Sequence, residues 1–238
     1  MKALRLKLYQ ETACYKKPLA FKVGETYPLP PYATVKGMLH AMLGANEFIP
    51  MRLSIQGTYE AKMVDYQAHY FFKKTDVAEF QLVLDGLASK PYEYEHMTKM
   101  PLYMHLLYGV QLLIHVEAVP EVLEAIVAAI ENGNTHWSLG RWEDLVRIDE
   151  YELVEVKEIE ERIRLKYNAY ILRDVLNSLE TELNAVPYQL NWKYEIKNGI
   201  RRWEKIDVGY VLAVSGLEFD ADDDVLQDQD GNLIFYSL

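Results

Sequence analysis

The chain reads as an α+β protein whose first two thirds follow a β-α-β-β-α-β order. Three patterns predict this. Period-two alternation recurs at Leu4 to Tyr9, Met51 to Gln56 and Val110 to Val116. Apolar stripes at helical spacing occupy residues 34–43 and 120–132. Finally, a run of prolines punctuates the chain before the first of these helices.

Leu4, Leu6 and Leu8 alternate with Arg5, Lys7 and Tyr9, so one face of a first strand is apolar and the other polar. Pro28, Pro30 and Pro31 fix their own φ and hold the residues before them extended, which keeps the first helix from starting before Tyr32. Thr34 is the expected N-cap, Val35, Met38, Leu39, Met42 and Leu43 form the buried stripe, and Gly44 stands at C′. Lys36 and His40 are left on the side expected to face solvent. Met51, Leu53 and Ile55 mark a second strand, and Val110, Leu112, Ile114 and Val116 a third. Pro120 suits the first turn of a second helix that carries Val122, Leu123, Ile126, Val127 and Ile130 and stops at Asn132 and Gly133. Tyr151 to Lys157 supplies the fourth strand. This is the split pattern of ferredoxin-like and RRM domains, with an insertion of about 62–108 between the second and third strands. Residues 1–164 are expected to form this domain. Residues 165–238 are expected to form a small, mostly-β C-terminal domain opening with a helix from Asn168 to Leu183.

Charge divides the chain. The formal net charge is −11, yet residues 1–110 hold 13 lysines and arginines against 10 carboxylates, and residues 111–238 hold 12 against 26. Within residues 1–40 the count is 7 against 2. An acidic protein makes a poor nonspecific nucleic-acid binder, so a nucleic acid would sit against the N-terminal half. A single cysteine, Cys14, excludes an internal disulfide and a cysteine-rich zinc site and fits a reducing compartment. No signal-peptide core and no run of about 18 apolar residues occurs, so a soluble, cytoplasmic protein with no membrane contact is expected.

Three segments carry binding chemistry. The helix after the proline run offers free amides at its N-terminus with Lys36 one step inside, a geometry that suits phosphate. Ser138-Leu139-Gly140-Arg141-Trp142 places a backbone able to approach closely beside a guanidinium and an indole. The insertion interleaves Lys62, Tyr66, His69, Tyr70, Phe71, Phe72, Lys73 and Lys74, rings that stack on any base among cations that track phosphates. The same patterns arise from a capped core helix, a structural turn and an amphipathic hairpin. The histidines lie at 40, 69, 96, 105, 115 and 136, with no HExxH spacing. His115 is read as a packing residue, whereas His69 beside Tyr66 could support metal-independent RNA cleavage by proton transfer. No GxxxxGK[ST] or GxGxxG motif is present, and no cofactor or metal is expected. The aspartates from Asp220 to Asp230 invite a calcium loop, but Gly231 at position six would put Leu226 where an acidic first ligand is needed. They read instead as a solvated acidic loop ending in an Asp-Gly turn.

Taken together, these landmarks resemble the CRISPR-associated RAMP superfamily, specifically the Cas5 family that holds the five-prime handle of the guide RNA in type I-B-like Cascade complexes. The Tyr27 to Gly44 segment resembles that family's proline-rich loop and Thr-Val-x-Gly-Met-Leu helix, and Ser138 to Arg141 its glycine loop. Tyr188-Gln189-Leu190 with Lys193-Tyr194, Arg201-Arg202-Trp203-Glu204 and Val208 to Leu212 resemble the C-terminal part of type I-B members. The insertion corresponds to the family's β-hairpin thumb. The resemblance implies a noncatalytic subunit that binds crRNA, caps a backbone filament beside the large subunit and meets target DNA only through the complex. A related branch cleaves precursor crRNA as an endoribonuclease. RNA contacts are expected from Lys16, Lys17, Lys22, Tyr32, Thr34, Lys36, Gly37 and His40, from Lys62, Tyr66, His69, Lys73 and Lys74, and from Gly140, Arg141 and Trp142; no catalytic residue is assigned.

Overall fold

The computed structural model describes residues 1–18, 20, 23–72, 97–133, 136–179, 185–223 and 225–237, with the side chains of 69–72 and 97–99 outside the description. In chain order the elements are β1 (Lys2–Ala13), β2 (Val23–Gly24), α1 (Tyr32–Met42), β3 (Arg52–Thr58), β4 (Ala61–Phe72), β5 (Met97–Glu117) and α2 (Pro120–Asn132). There follow β6 (Trp137–Ser138), β7 (Leu145–Glu158), β8 (Ile163–Arg164), β9 (Asn168–Leu172), α3 (Arg173–Ser178), β10 (Val186–Lys197), β11 (Ile200–Val211), β12 (Glu218–Phe219), β13 (Leu226–Asp228) and β14 (Leu233–Ile234). The protein is α+β: one large sheet, mostly antiparallel, runs in the order β10-β11-β9-β3-β5-β1-β7-β13-β14.

Four of these strands, in the order β3-β5-β1-β7 with every neighbour antiparallel, are the ones read from alternation in the sequence. Leu4, Leu6 and Leu8 oppose Val116, Ile114 and Leu112, and all six join Val35, Met38, Leu39, Leu123 and Ile126 of α1 and α2 in the main core. One face of the sheet therefore carries the helices.

The other face is covered as well. Arg5, Ser54, Gln56 and His115 alternate with those leucines and isoleucines, and each is at most 3% exposed. The segment 225–237 lies across them. The Phe235 N–H donates to Ser54 Oγ at 3.0 Å, Gln56 Nε2 donates to the Leu233 carbonyl, and Ser237 exchanges hydrogen bonds with the Leu53 backbone. Asp228, fully buried, accepts from Arg5 Nη1 at 2.8 Å, from His115 Nε2 at 3.1 Å and from Asn232 Nδ2 at 2.8 Å. Arg5 also meets Glu150 and Glu152 of β7 and Asp230. His115, read as a packing residue, thus sits in a polar network. In the acidic loop and its Asp-Gly turn, Asp222 and Asp230 are exposed as expected, whereas Asp228 is buried because it is the counter-ion of Arg5.

Other expectations are corrected by burial. The helix expected from Asn168 begins only at Arg173; Asn168–Leu172 is a strand whose Ala169, Tyr170 and Ile171 are all buried, and a short apolar run buried on both sides has no period to separate strand from helix. α1 starts at Tyr32 with Pro31 (φ −59°) as its cap and no side-chain capping bond, so Thr34 lies inside the first turn. Its N–H and that of Val35 both donate to the Pro31 carbonyl. Gly44 takes φ +59° directly after the helix, the conformation its C′ position requires. A second hydrophobic cluster gathers Leu165, Ile171, Val211, Phe219 and Phe235 with Ile159, while Tyr170, Leu190, Ile206, Val208 and Tyr210 join the main core and the strands after residue 164 extend the shared sheet at both edges.

β4 and β5 form an arm. β5 pairs with β1 and β3 along its second half and with β4 from Ala61↔Tyr108 out to Phe72↔Met97. At the junction Gly109 takes φ +61°, and a Cβ there would come within 2.6 Å of Glu60.

Burial alone would raise the Asp228 carboxyl, but hydrogen bonds from His115, Asn232 and Arg5 outweigh it and hold the group well below 3.8. A depressed carboxyl contributes stability that is complete above its unfolded pKa and lost as pH falls toward the folded one. In urea unfolding the wild type should therefore weaken steadily below about pH 4, whereas Asp228→Asn should be about 2 kcal/mol less stable at pH 7 and show a flatter acid limb.

Candidate nucleic-acid interface

The expected site residues separate into four locations. At the end of β1, Lys16 is exposed, while Lys17 Nζ is bound to Glu25 at 2.6 Å and lies 5.4 Å from the Tyr188 ring centroid and 5.7 Å from that of Tyr27. Lys22 falls outside the described residues.

The glycine loop is a closed structural turn stapled to the same end of β1. Gln10 Nε2 donates to the carbonyls of Leu139 (2.9 Å) and Asp144 (3.0 Å). The buried Asp144 carboxylate accepts from the Cys14 N–H at 2.9 Å and the Arg141 N–H at 2.8 Å. Arg141, expected to fork onto a phosphate, instead spends its guanidinium on Asp144 (2.7 Å) and Glu143 (2.8 Å). Gly140 holds φ +115° with Asp144 Oδ2 2.8 Å from where a Cβ would stand. Trp142 is 86% exposed, an indole face open to a partner.

On the arm, Lys62, Val64 and Tyr66 project from one face of β4, with Tyr66 packed edge-on against Tyr103 of β5 at 5.5 Å. The opposite face of β5 buries Leu102, Met104 and Leu106 against Cys14. Lys73 and Lys74 lie outside the described residues, as does the side chain of His69.

The fourth location is the outer side of α1, where the largest departure from expectation occurs. Tyr32 is wholly buried, its ring 6.1 Å from that of Tyr170, so it is a core residue and cannot touch RNA in this conformation. Thr34 is partly exposed in the first turn. Lys36 does not face solvent: it is 4% exposed, with Nζ 4.0 Å from the Trp192 ring centroid and 5.6 Å from that of Phe48. Among the described residues its Nζ has no hydrogen-bond partner. Burial, with the nearby charge of Lys193, pushes its ammonium down to about 8. His40 is a fastener: Nδ1 donates to the Lys36 carbonyl at 2.7 Å and Nε2 accepts the Ile49 N–H at 2.9 Å, which leaves no ring N–H for a phosphate.

What closes over Lys36 is the β10–β11 hairpin. A bulge between Asn191 and Lys193 leaves Trp192 unpaired and turns it toward α1, and just beyond it Tyr194 stands opposite Trp203, rings 5.2 Å apart. Arg201 lies 4.6 Å over the Tyr194 ring and Lys193 4.8 Å over that of Trp192. The resulting groove between α1, the loop after it and the hairpin holds about 780 Å³, the size of a small-molecule site. Its hairpin residues were not among the expected contacts. The aromatic alternation at 188, 192 and 194, interleaved with lysine, was the available signal.

The sequence model of the CRISPR-associated protein family Cas5 matches residues 3–204. No curated protein matches the chain. Among solved structures, a chain of a CRISPR RNA-guided surveillance complex is 14% identical with a TM-score of 0.49, covering 89% of this chain and 92% of that one. A CRISPR protein from Archaeoglobus fulgidus is 13% identical with a TM-score of 0.48, covering 98% of both chains.

Gly140→Ala should cost about 1–3 kcal/mol in urea unfolding, because its backbone angle and its contact with Asp144 both oppose a side chain. Lys36→Met should raise stability by about 1 kcal/mol at pH 7 by removing a buried charge that lacks a carboxylate partner. The ammonium is disfavoured in the fold, so that penalty is complete below about pH 8 and relieved as the pH rises toward 10.5. Across that range the stability of the wild type should approach that of the variant, with His40, Glu47, Lys193 and Arg201 as the other ionisable groups lining the groove.

Proposed function

We propose, from the premise that the chain belongs to the CRISPR-associated Cas5 family, that it is a noncatalytic, cytoplasmic RNA-binding subunit of a type I-B-like Cascade effector complex. It holds the five-prime handle of the crRNA and caps the backbone filament beside the large subunit. The strand order β3-β5-β1-β7, with α1 following β1 and α2 following β5, supports the ferredoxin-like reading of residues 1–164. The second hydrophobic cluster, drawn mainly from residues after 164, supports a small C-terminal unit at 165–238 that shares its sheet and part of its core with the first.

The observation that carries the RNA reading is the β4–β5 arm. It is a two-stranded ribbon with Lys62, Tyr66 and Tyr103 exposed on one face, the mixture of cation and ring that single-stranded RNA uses. The covered sheet face narrows where RNA can lie. Bases cannot stack on the strands opposite the helices, as they do on an RRM, while segment 225–237 occupies that surface. This supports a handle that lies along the arm, Lys16 just past β1 and the outer side of α1. The acidic C-terminal half, net −14 over residues 111–238, is left for solvent or for basic partner subunits.

With purified protein, labelled repeat RNA and EDTA, a native gel should show a shift and a denaturing gel no new fragment. A discrete cut lost in His69→Ala would move the protein to the processing branch. Lys16→Ala with Lys62→Ala should lower the slope of log affinity against log salt by about 0.7 per lysine without changing sequence preference. An unchanged slope would remove both residues from the interface.

A further inference from the structure

The groove between α1 and the β10–β11 hairpin has the chemistry of a nucleotide pocket, and this inference rests on the RNA-binding reading above. Its floor holds two buried donors, Lys36 Nζ and Trp192 Nε1, that lack acceptors among the described residues. A protein that buries an ammonium without a carboxylate, or an indole N–H without a carbonyl, leaves hydrogen bonds unmade, and both gaps fall in one cavity. Neither gap is filled from within the groove: Glu47 is its only lining carboxylate, and no hydrogen bond or ion pair joins Glu47 to Lys36 among the described residues. At the rim stand exposed rings, Phe48 at 51%, Tyr194 at 43% and Trp203 at 41%, together with Lys193 and Arg201.

The helix side of the groove is shaped to let a ligand approach. Ala33, Gly37, Ala41 and Gly44 line it, and a Cβ built on Gly37 would meet no atom within 4 Å. A glycine in a helix interior weakens the helix relative to alanine. Here the free protein has room for the methyl group and does without it.

We propose that this groove binds one nucleotide unit of single-stranded RNA, with a phosphate oxygen accepting from Lys36 and Trp192 and the base stacked on the rim aromatics. A nucleotide supplies a flat ring and an anion within one unit, which matches rings at the rim and unpaired donors on the floor. An acidic peptide would satisfy the donors and leave the exposed rings uncovered.

The test uses the full chain with a labelled oligoadenylate hexamer, with repeat RNA and with an oligoglutamate peptide, each followed by tryptophan quenching and anisotropy. The hexamer should quench emission saturably. Gly37→Ala should melt at or above the wild-type temperature and yet bind the hexamer at least tenfold more weakly, a combination that misfolding cannot produce. Lys36→Met should weaken the hexamer to a similar degree. Hexamer affinity unchanged in both variants while the wild type still shifts repeat RNA would overturn the pocket and leave the RNA-binding function standing. Absence of any wild-type binding to either RNA would overturn both. Quenching by oligoglutamate but not by the hexamer would assign the groove to a protein partner and overturn the nucleotide.

Discussion

The pairing of Arg5 with Asp228 decides which surfaces this protein has to offer. An arginine in the middle of a central strand, pointing away from the helices, could be kept out of water only if carboxylates were brought to it. Asp228 comes from the far end of the chain to do this, and the segment around it is laid over the sheet as a consequence. Asn232 and His115 complete the shell of the carboxylate, while backbone bonds to Leu53, Ser54 and Gln56 continue the cover outward. A sheet with helices on one side and this segment on the other has little free face left. The surfaces that remain uncovered are an arm, an edge and the outside of a helix.

Much of the core could be read from residues 1–158, because alternation and helical stripes report burial directly. The leucines of β1 and the stripe of α1 stand where their periods put them. What the sequence concealed depends on partners far along the chain. Lys36 sits on the polar side of its helix by any count of residues, and only the arrival of Trp192 buries it. Arg141 was legible as a cation but not as one already neutralised by Asp144, three residues on, because a turn had to close first. Asn168–Leu172 reads as the start of a helix because an element buried on both sides shows no period. His40 looked like a ligand and proves to be a clasp whose partner, the Ile49 amide, carries no side-chain signature.

The two charged side chains buried in the sheet and the groove form an instructive contrast. Arg5 is surrounded by acceptors: Asp228, Asp230, Glu150 and Glu152 meet its two terminal nitrogens. Lys36 has rings and no acid, so the fold bears its desolvation without full compensation. Local rules and the fold disagree at Lys36 and agree at Arg5. The same reasoning applies to Gly37, where a stronger helix former would fit the empty protein.

The arm is continuous with the core because β5 is one strand from Met97 to Glu117. Its inner half is clamped between β1 and β3, and its outer half carries β4. In mechanical terms it is a cantilever, not a hinged flap. A load applied to its free part becomes a bending moment at Gly109 and is resisted by the ladder that holds the centre of the sheet. Whatever grips the arm therefore pulls on the strand that β1 and β3 flank at the centre of the sheet, through a single left-handed residue.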